Sequence, residues 1–326
     1  MKRRTLLAST FATPAAIWSG HALAQAAYPN RPIRWIMPFP AGGPTDSIAR
    51  KVAELASAKI GQPIIVENKP GANGSIGTAE VVRAAPDGYT FAVAIPDSLI
   101  SVASLVKTPG YDGRTDITPI MKICDGQPVL IANRQLGVRN IQELLVAARK
   151  NPGRIAYGTW GNGTLPHLIM KSMEAATGTS FLDVPYKGLA PALQDTLSNG
   201  VQLTVVPPVV AAQYVERGAV PLAISGGPRS PMLPQVGTMQ EQGVDTAIMR
   251  SSLWIGIVGP KGMPDAMAKR WIDLLNEVVR SPEFEKFLTA AGQGLLARTG
   301  QDFARELAAE HVAINDLMRS LGIMAQ

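Results

Sequence analysis

A single cysteine, Cys124, stands in 326 residues, so no disulfide framework can form within the chain. It follows an apolar run and is expected to be buried and inert. Histidine is nearly as scarce, with three in all. No H-E-x-x-H, cysteine pair or acidic cluster marks a metal site, and no cofactor is called for. Charged residues make up 17% of the chain against 46% hydrophobic, less charge than the roughly 25% of an average soluble protein. That composition can bury enough apolar surface to offset its ordering entropy, which excludes disorder. No run of about 18 apolar residues is present, so no transmembrane helix is expected. Aromatics amount to only 6% and are not interleaved with basic blocks, which leaves nucleic-acid binding without support.

Glycine (31) and proline (26) are abundant and imply many tight turns. At about 150 residues per domain, the length suggests two domains. Residues 1–26 read as a signal peptide. Lys2, Arg3 and Arg4 form its basic start, Leu6 to Trp18 its apolar stretch, and Ala22-Leu23-Ala24 or Ala24-Gln25-Ala26 its cleavage site. The alternative is a short amphipathic helix of the folded domain. Removing the peptide leaves 28 basic against 25 acidic residues, a net charge of +3. The expected compartment is the periplasm, where a lone cysteine cannot mispair within its own chain.

Strand and helix patterns then alternate. Ile33–Met37 reads as a strand, followed by a helix from about Thr45 with Ile48, Val52, Leu55 and Ala56 on one face and Gly61 as its stop. Ile64–Val66 is a short strand, Ile76–Ala84 a helix and Tyr89–Ile95 a strand. The rhythm restarts with a strand at Pro128–Asn133 and a helix capped by Asn140, with Glu143 three residues on. Strands at Arg154–Gly158 and Phe181–Val184 flank a helix at Leu165–Thr177. The alternation continues to Ser225, and a Pro- and Gly-rich connector spans 226–237. A strand at Leu253–Val258 precedes three helices. This order predicts an α/β fold of two units, each a mostly parallel sheet flanked by helices, with a cleft between them.

In open α/β sheets ligands bind outside the carboxyl ends of the strands, so the loops there are the candidate sites. Three are rich in glycine or hydroxyls: Phe39 to Asp46, Gly158 to Thr164, and Tyr186 to Pro191. Each brings backbone N–H groups to a helix N-terminus, where anions are stabilised. The plainer alternative is that the glycines make turns and that Thr45 or Thr164 caps a helix. No loop fits a nucleotide-binding fingerprint or a nucleophile elbow. Beyond the signal peptide only His167 and His311 remain. His311 lies on the apolar face of the last helix, and His167 either fixes the second loop or touches a ligand. No set of residues asks for catalysis, although Ser75 or Ser98 with His167 leaves a secreted serine hydrolase open.

Several ordered blocks are similar to those of one family. They are Tyr28 to Arg34, Pro38 to Asp46 with Ala49 and Arg50, Val66 to Ala72 with Gly74, Ile76 and Gly77, and Pro86 to Thr90. Val184 to Gly188 with Ala190 to Ala192, and Arg229-Ser230 with Leu233-Pro234, complete the series. The chain resembles the substrate-binding receptors of tripartite tricarboxylate transporters, the Bug receptors. The resemblance implies a two-lobed periplasmic binding protein, lobe one being 27–124 with 235–326 and lobe two 125–234. Its implied partners are a small organic acid and membrane permease subunits, and the receptor is expected to be a monomer. Signalling to a sensor kinase is the alternative role. The implied ligand-binding residues are Phe39, Gly43, Thr45 and Asp46 on the first loop and Thr159, Gly161, Asn162, Gly163 and Thr164 on the second. Tyr186, Lys187, Gly188 and Ala190 would form a wall, with Asp97, Ser98 and His167 as further candidates.

The sequence departs from the family at Val205-Val206-Pro207-Pro208, where an aromatic and a polar residue are usual, and at Pro96 to Ile100, where hydroxyl residues are usual. Ile314 and Gly237 replace a tryptophan and a proline. A carboxylate at Asp97 would favour an amino acid or a nitrogen heterocyclic acid over citrate, unless Asp97 merely caps the following segment.

Overall fold

The computed structural model describes residues 28–106 and 110–323; the expected signal peptide, 1–26, lies outside the described residues. β1 (Ile33–Met37) leads through the first glycine loop into α1 (Pro44–Ile60). The apolar face of α1, with Ile48, Val52 and Ala56, is buried, and Gly61 ends the helix at φ 76°. Glycine pays no Cβ penalty in this left-handed conformation. β2 (Ile64–Asn68), α2 (Ser75–Val82) and β3 (Thr90–Ala94) follow. After β3 the chain makes a single π-helical turn, Asp97–Ser101, and the short α3 (Val102–Leu105). β4 (Ile117–Gly126) closes this stretch, and β5 (Val129–Asn133) opens a second sheet.

The second unit continues through α4 (Ile141–Lys150), β6 (Ala156–Thr159), α5 (Leu165–Thr177) and β7 (Leu182–Pro185). It ends with α6 (Leu189–Leu197), β8 (Leu203–Val206), α7 (Pro208–Tyr214) and β9 (Ala219–Ile224). β10 (Leu253–Pro260) returns to the first sheet, followed by α8 (Asp265–Val279), α9 (Pro282–Ala290), β11 (Gly294–Thr299) and α10 (Gly300–Ser320). The strand orders are β11-β4-β10-β3-β1-β2 and β7-β6-β8-β5-β9. The connector after β9 stays with the second sheet: Met239 N donates to Ile224 O at 2.8 Å and Gln242 Nε2 to Leu222 O at 2.9 Å.

The two-sheet α/β architecture expected from the alternation is present, and its strand pairing is mixed. β1 is parallel to β2 and β3, and β6 to β7 and β8. β10 runs antiparallel to β3 and β4, β11 to β4, and β5 to β8 and β9. Parallel neighbours need a crossover, which helices such as α1, α2, α5 and α6 supply. β4, β5 and β10 carry the chain between the sheets and enter antiparallel. The sequence pattern does not announce β4 or β11. Residues 124 and 125, the expected boundary between the lobes, belong to the ten-residue β4. Cys124 in β4 is fully buried, and burial raises its thiol pKa far above the ordinary range, as expected for an inert thiol.

Candidate functional site

The first loop is built around Asp46. Its carboxylate accepts from Gly42 N (3.0 Å), Arg50 Nε (2.9 Å), Arg50 Nη2 (3.1 Å) and Asn68 Nδ2 (2.9 Å). Asn68 Nδ2 also donates to Phe39 O at 3.0 Å. Burial alone would raise the Asp46 carboxyl, but these hydrogen bonds outweigh it and hold the pKa below its ordinary value. Asp46 therefore fixes the loop, and its oxygens are engaged within the protein. The N-terminus of α1 remains bare. Gly43 brings no capping side chain, Pro44 has no N–H, and the Thr45 hydroxyl has no partner among the described residues. The ring of half-buried Phe39 lies against Gly74, where a Cβ would sit 3.1 Å from Phe39 Cζ and 2.9 Å from Ser98 Cβ.

The second loop is held by its own side chains. Thr164 Oγ1 donates to Gly161 O at 2.6 Å, and Gly161 N to Thr159 Oγ1 at 3.4 Å. Thr159 Oγ1 also donates to Asp183 Oδ1 at 3.2 Å. His167 Nδ1 accepts from Gly163 N at 2.9 Å, which leaves the ring proton on Nε2, 3.9 Å from Asp183 Oδ2. Burial lowers the His167 pKa, so the imidazole is neutral at pH 7. This bond ties the His167 ring to the second loop. Ser98, fully buried, bonds only to Ile95 N and O, and its own carbonyl accepts from Tyr111. No serine–histidine hydrogen bond appears among the described residues.

The loops of the two units meet. Asp97, 1% exposed, accepts from Trp160 Nε1 at 2.9 Å and from Leu165 N, the first helical residue of α5, at 3.2 Å. Asn73 Nδ2 donates to the carbonyl of exposed Asn162 at 3.0 Å. Gly163 packs against Leu105 so closely that a Cβ at this position would lie 2.5 to 2.9 Å from its side-chain carbons. In the third loop Tyr186 donates its hydroxyl to Asp195, and its ring lies against Gly158. Burial, together with Asp195, pushes the Tyr186 pKa up to about 12. Gly188 (φ 126°) faces the first loop, where a Cβ would lie 3.8 Å from Pro40 Cγ, while Lys187 and Ala190 are exposed. The expected residues thus gather along one seam, but the direct links across it use Trp160, Asn73 and Leu165 N, which the sequence reading did not single out. Trp160 lies inside the second glycine loop, which was its one available signal.

Two α/β units whose parallel strands direct their C-terminal loops at one another define a two-lobed solute-binding protein. Residues 48–323 match the model of the Tripartite tricarboxylate transporter family receptor. The chain belongs to that family, as its sequence blocks imply. It is similar to Protein BugT of Bordetella pertussis, 31% identical over 267 residues that cover 81% of each chain. Among solved structures, periplasmic binding protein BugD is 31% identical at a TM-score of 0.84, covering 92% of this chain and 100% of that one. R. palustris Rpa4515, solved with adipate, is 29% identical at 0.86, again over 92% and 100%.

Proposed function

We propose that this chain is an exported receptor that captures a small organic acid between its lobes and delivers it to a membrane permease. The observation that carries the reading is the bare N-terminus of α1 at the seam. Its first-turn N–H groups and the Thr45 hydroxyl form an uncapped donor set at the positive end of a 17-residue helix. Arg50 is bound to Asp46 and Asn68, so the acid would be held by backbone and hydroxyl donors without a bidentate arginine. Adipate in the Rpa4515 structure supports an organic acid as the ligand class. Export rests on the sequence of residues 1–26 and on family membership. The sheet memberships favour lobes of 28–126 with 251–323 and of 127–250, which would move the second crossing from the expected 234–235 to 250–251, just ahead of β10.

The test is a thermal-shift panel of organic acids, paired with mass spectrometry of ligand released from purified protein. A bound acid at a hundredfold excess over its Kd should stabilise the fold by about 2.7 kcal/mol. Turnover of the acid in the same mixture, or no stabilisation and no released acid, would overturn the receptor reading.

A further inference from the structure

We propose that Asp97 makes this receptor selective for monocarboxylates: its own carboxylate fills the N-terminus of α5 across the seam and leaves the N-terminus of α1 to seat a single acid group. The inference rests on the receptor reading and narrows its ligand class.

α5 is a 13-residue helix whose N-terminus lies at the seam. Such an end carries about half a positive charge and unpaired N–H groups, and it holds anions well. Here three of the local donors already have acceptors. Gly163 N donates to His167 Nδ1, Thr164 N to Gly161 O at 3.3 Å and Leu165 N to Asp97 Oδ1, while Pro166 has no N–H. The second Asp97 oxygen takes the Trp160 indole N–H. Asp97 comes from lobe one and both donors from lobe two, so the bond that fills the helix end also bridges the lobes. No lysine or arginine pairs with Asp97 among the described residues. Its charge is thus balanced only by the helix end and the indole, in a site with almost no access to water.

A ligand bound at α1 by one carboxylate meets no further anion-binding helix end at α5. A second carboxylate directed there would find these three donors engaged and the like charge of Asp97 fixed beside them, which disfavours binding. α1 differs because Gly43 provides no side-chain cap and the Asp46 charge is paired with Arg50.

The test measures Kd by calorimetry for matched acids: hexanoate with adipate, benzoate with terephthalate, and 2-hydroxybutyrate with malate. Wild type should bind the monocarboxylate of a pair at least tenfold more tightly. Asp97→Ser, which vacates the helix end, and Asp97→Asn, which keeps the shape and removes the charge, should each cut that ratio at least fivefold. The ratio cancels a general loosening of the seam, which would weaken both acids alike. A wild-type preference for the dicarboxylate, or an unchanged ratio in both folded variants, would overturn the proposal and leave the receptor reading intact. If no pair binds, the acid released from purified protein decides: one carboxyl group supports the proposal and two or more reject it. Release of no acid at all removes the receptor reading together with this inference.

Discussion

The carboxyl of Asp97 is 1% exposed, and burial pushes its pKa up from 3.8 to about 6, the bonds from Trp160 and Leu165 offsetting only part of the desolvation. A raised folded pKa means that the folded state favours the protonated acid. Its stabilising contribution is complete below about pH 4 and is lost as the pH rises through 6. A shift of about two units corresponds to on the order of 3 kcal/mol. Urea unfolding of wild type and Asp97→Asn at pH 4 and pH 7.5 should show this as a difference of differences, with wild type losing more stability than the variant on going to pH 7.5. Equal losses would mean that the carboxyl is not desolvated as the structure has it. Asp46 is also buried, yet its shift has the opposite sign because four donated hydrogen bonds outweigh the desolvation. In sequence both are simply aspartates near glycine-containing loops.

α1 and α5 are legible because their apolar spacing, glycine stops and prolines at the first turn are local features. The α4 start is also as expected at Asn140, whose side chain accepts from Glu143 N at 2.9 Å; Glu143 reaches back one residue further than a capping box requires, to Arg139 N. β11 is harder to read, since its six residues are half-buried or exposed and show no clean alternation. The second loop allows a test at this scale. Gly161 has φ 136°, and a Cβ there would meet Asn73 Oδ1 from the other lobe at 2.6 Å. Gly178 also has positive φ (65°) but open space around it. Both Gly→Ala changes should cost roughly 1–3 kcal/mol of stability through backbone strain. Only Gly161→Ala should also weaken binding of the acid, by about tenfold or 1.4 kcal/mol. Calorimetry on the two variants separates the effects, and equal affinities would mean that the seam does not close on Asn73.

One apolar cluster runs through both lobes. It joins Ile36, Ala92 and Leu99 of the first with Leu130, Leu203 and Met239 of the second. Separate cores would let the lobes unfold apart, whereas a shared core couples them. The expected result is a single urea transition in which far-ultraviolet dichroism and tryptophan fluorescence coincide. Trp35, Trp254 and Trp271 report lobe one and Trp160 lobe two, so two separated fluorescence steps would contradict the coupling.

The sequence by itself determined most of the element order, β4 and β11 excepted, the three glycine loops and the family, because each is written in short-range spacing or in blocks of contiguous residues. It also marked three helix ends able to hold an anion, those of α1 and α5 among them, without distinguishing them. Only the tertiary structure decided which end was filled and by what. Asp97 is 63 residues from Trp160 and 68 from Leu165. Their meeting depends on how two separately built lobes approach each other, which no local periodicity encodes. The same approach removes water from Asp97 and thereby turns an ordinary loop aspartate into a buried charge fixed at the positive end of a helix.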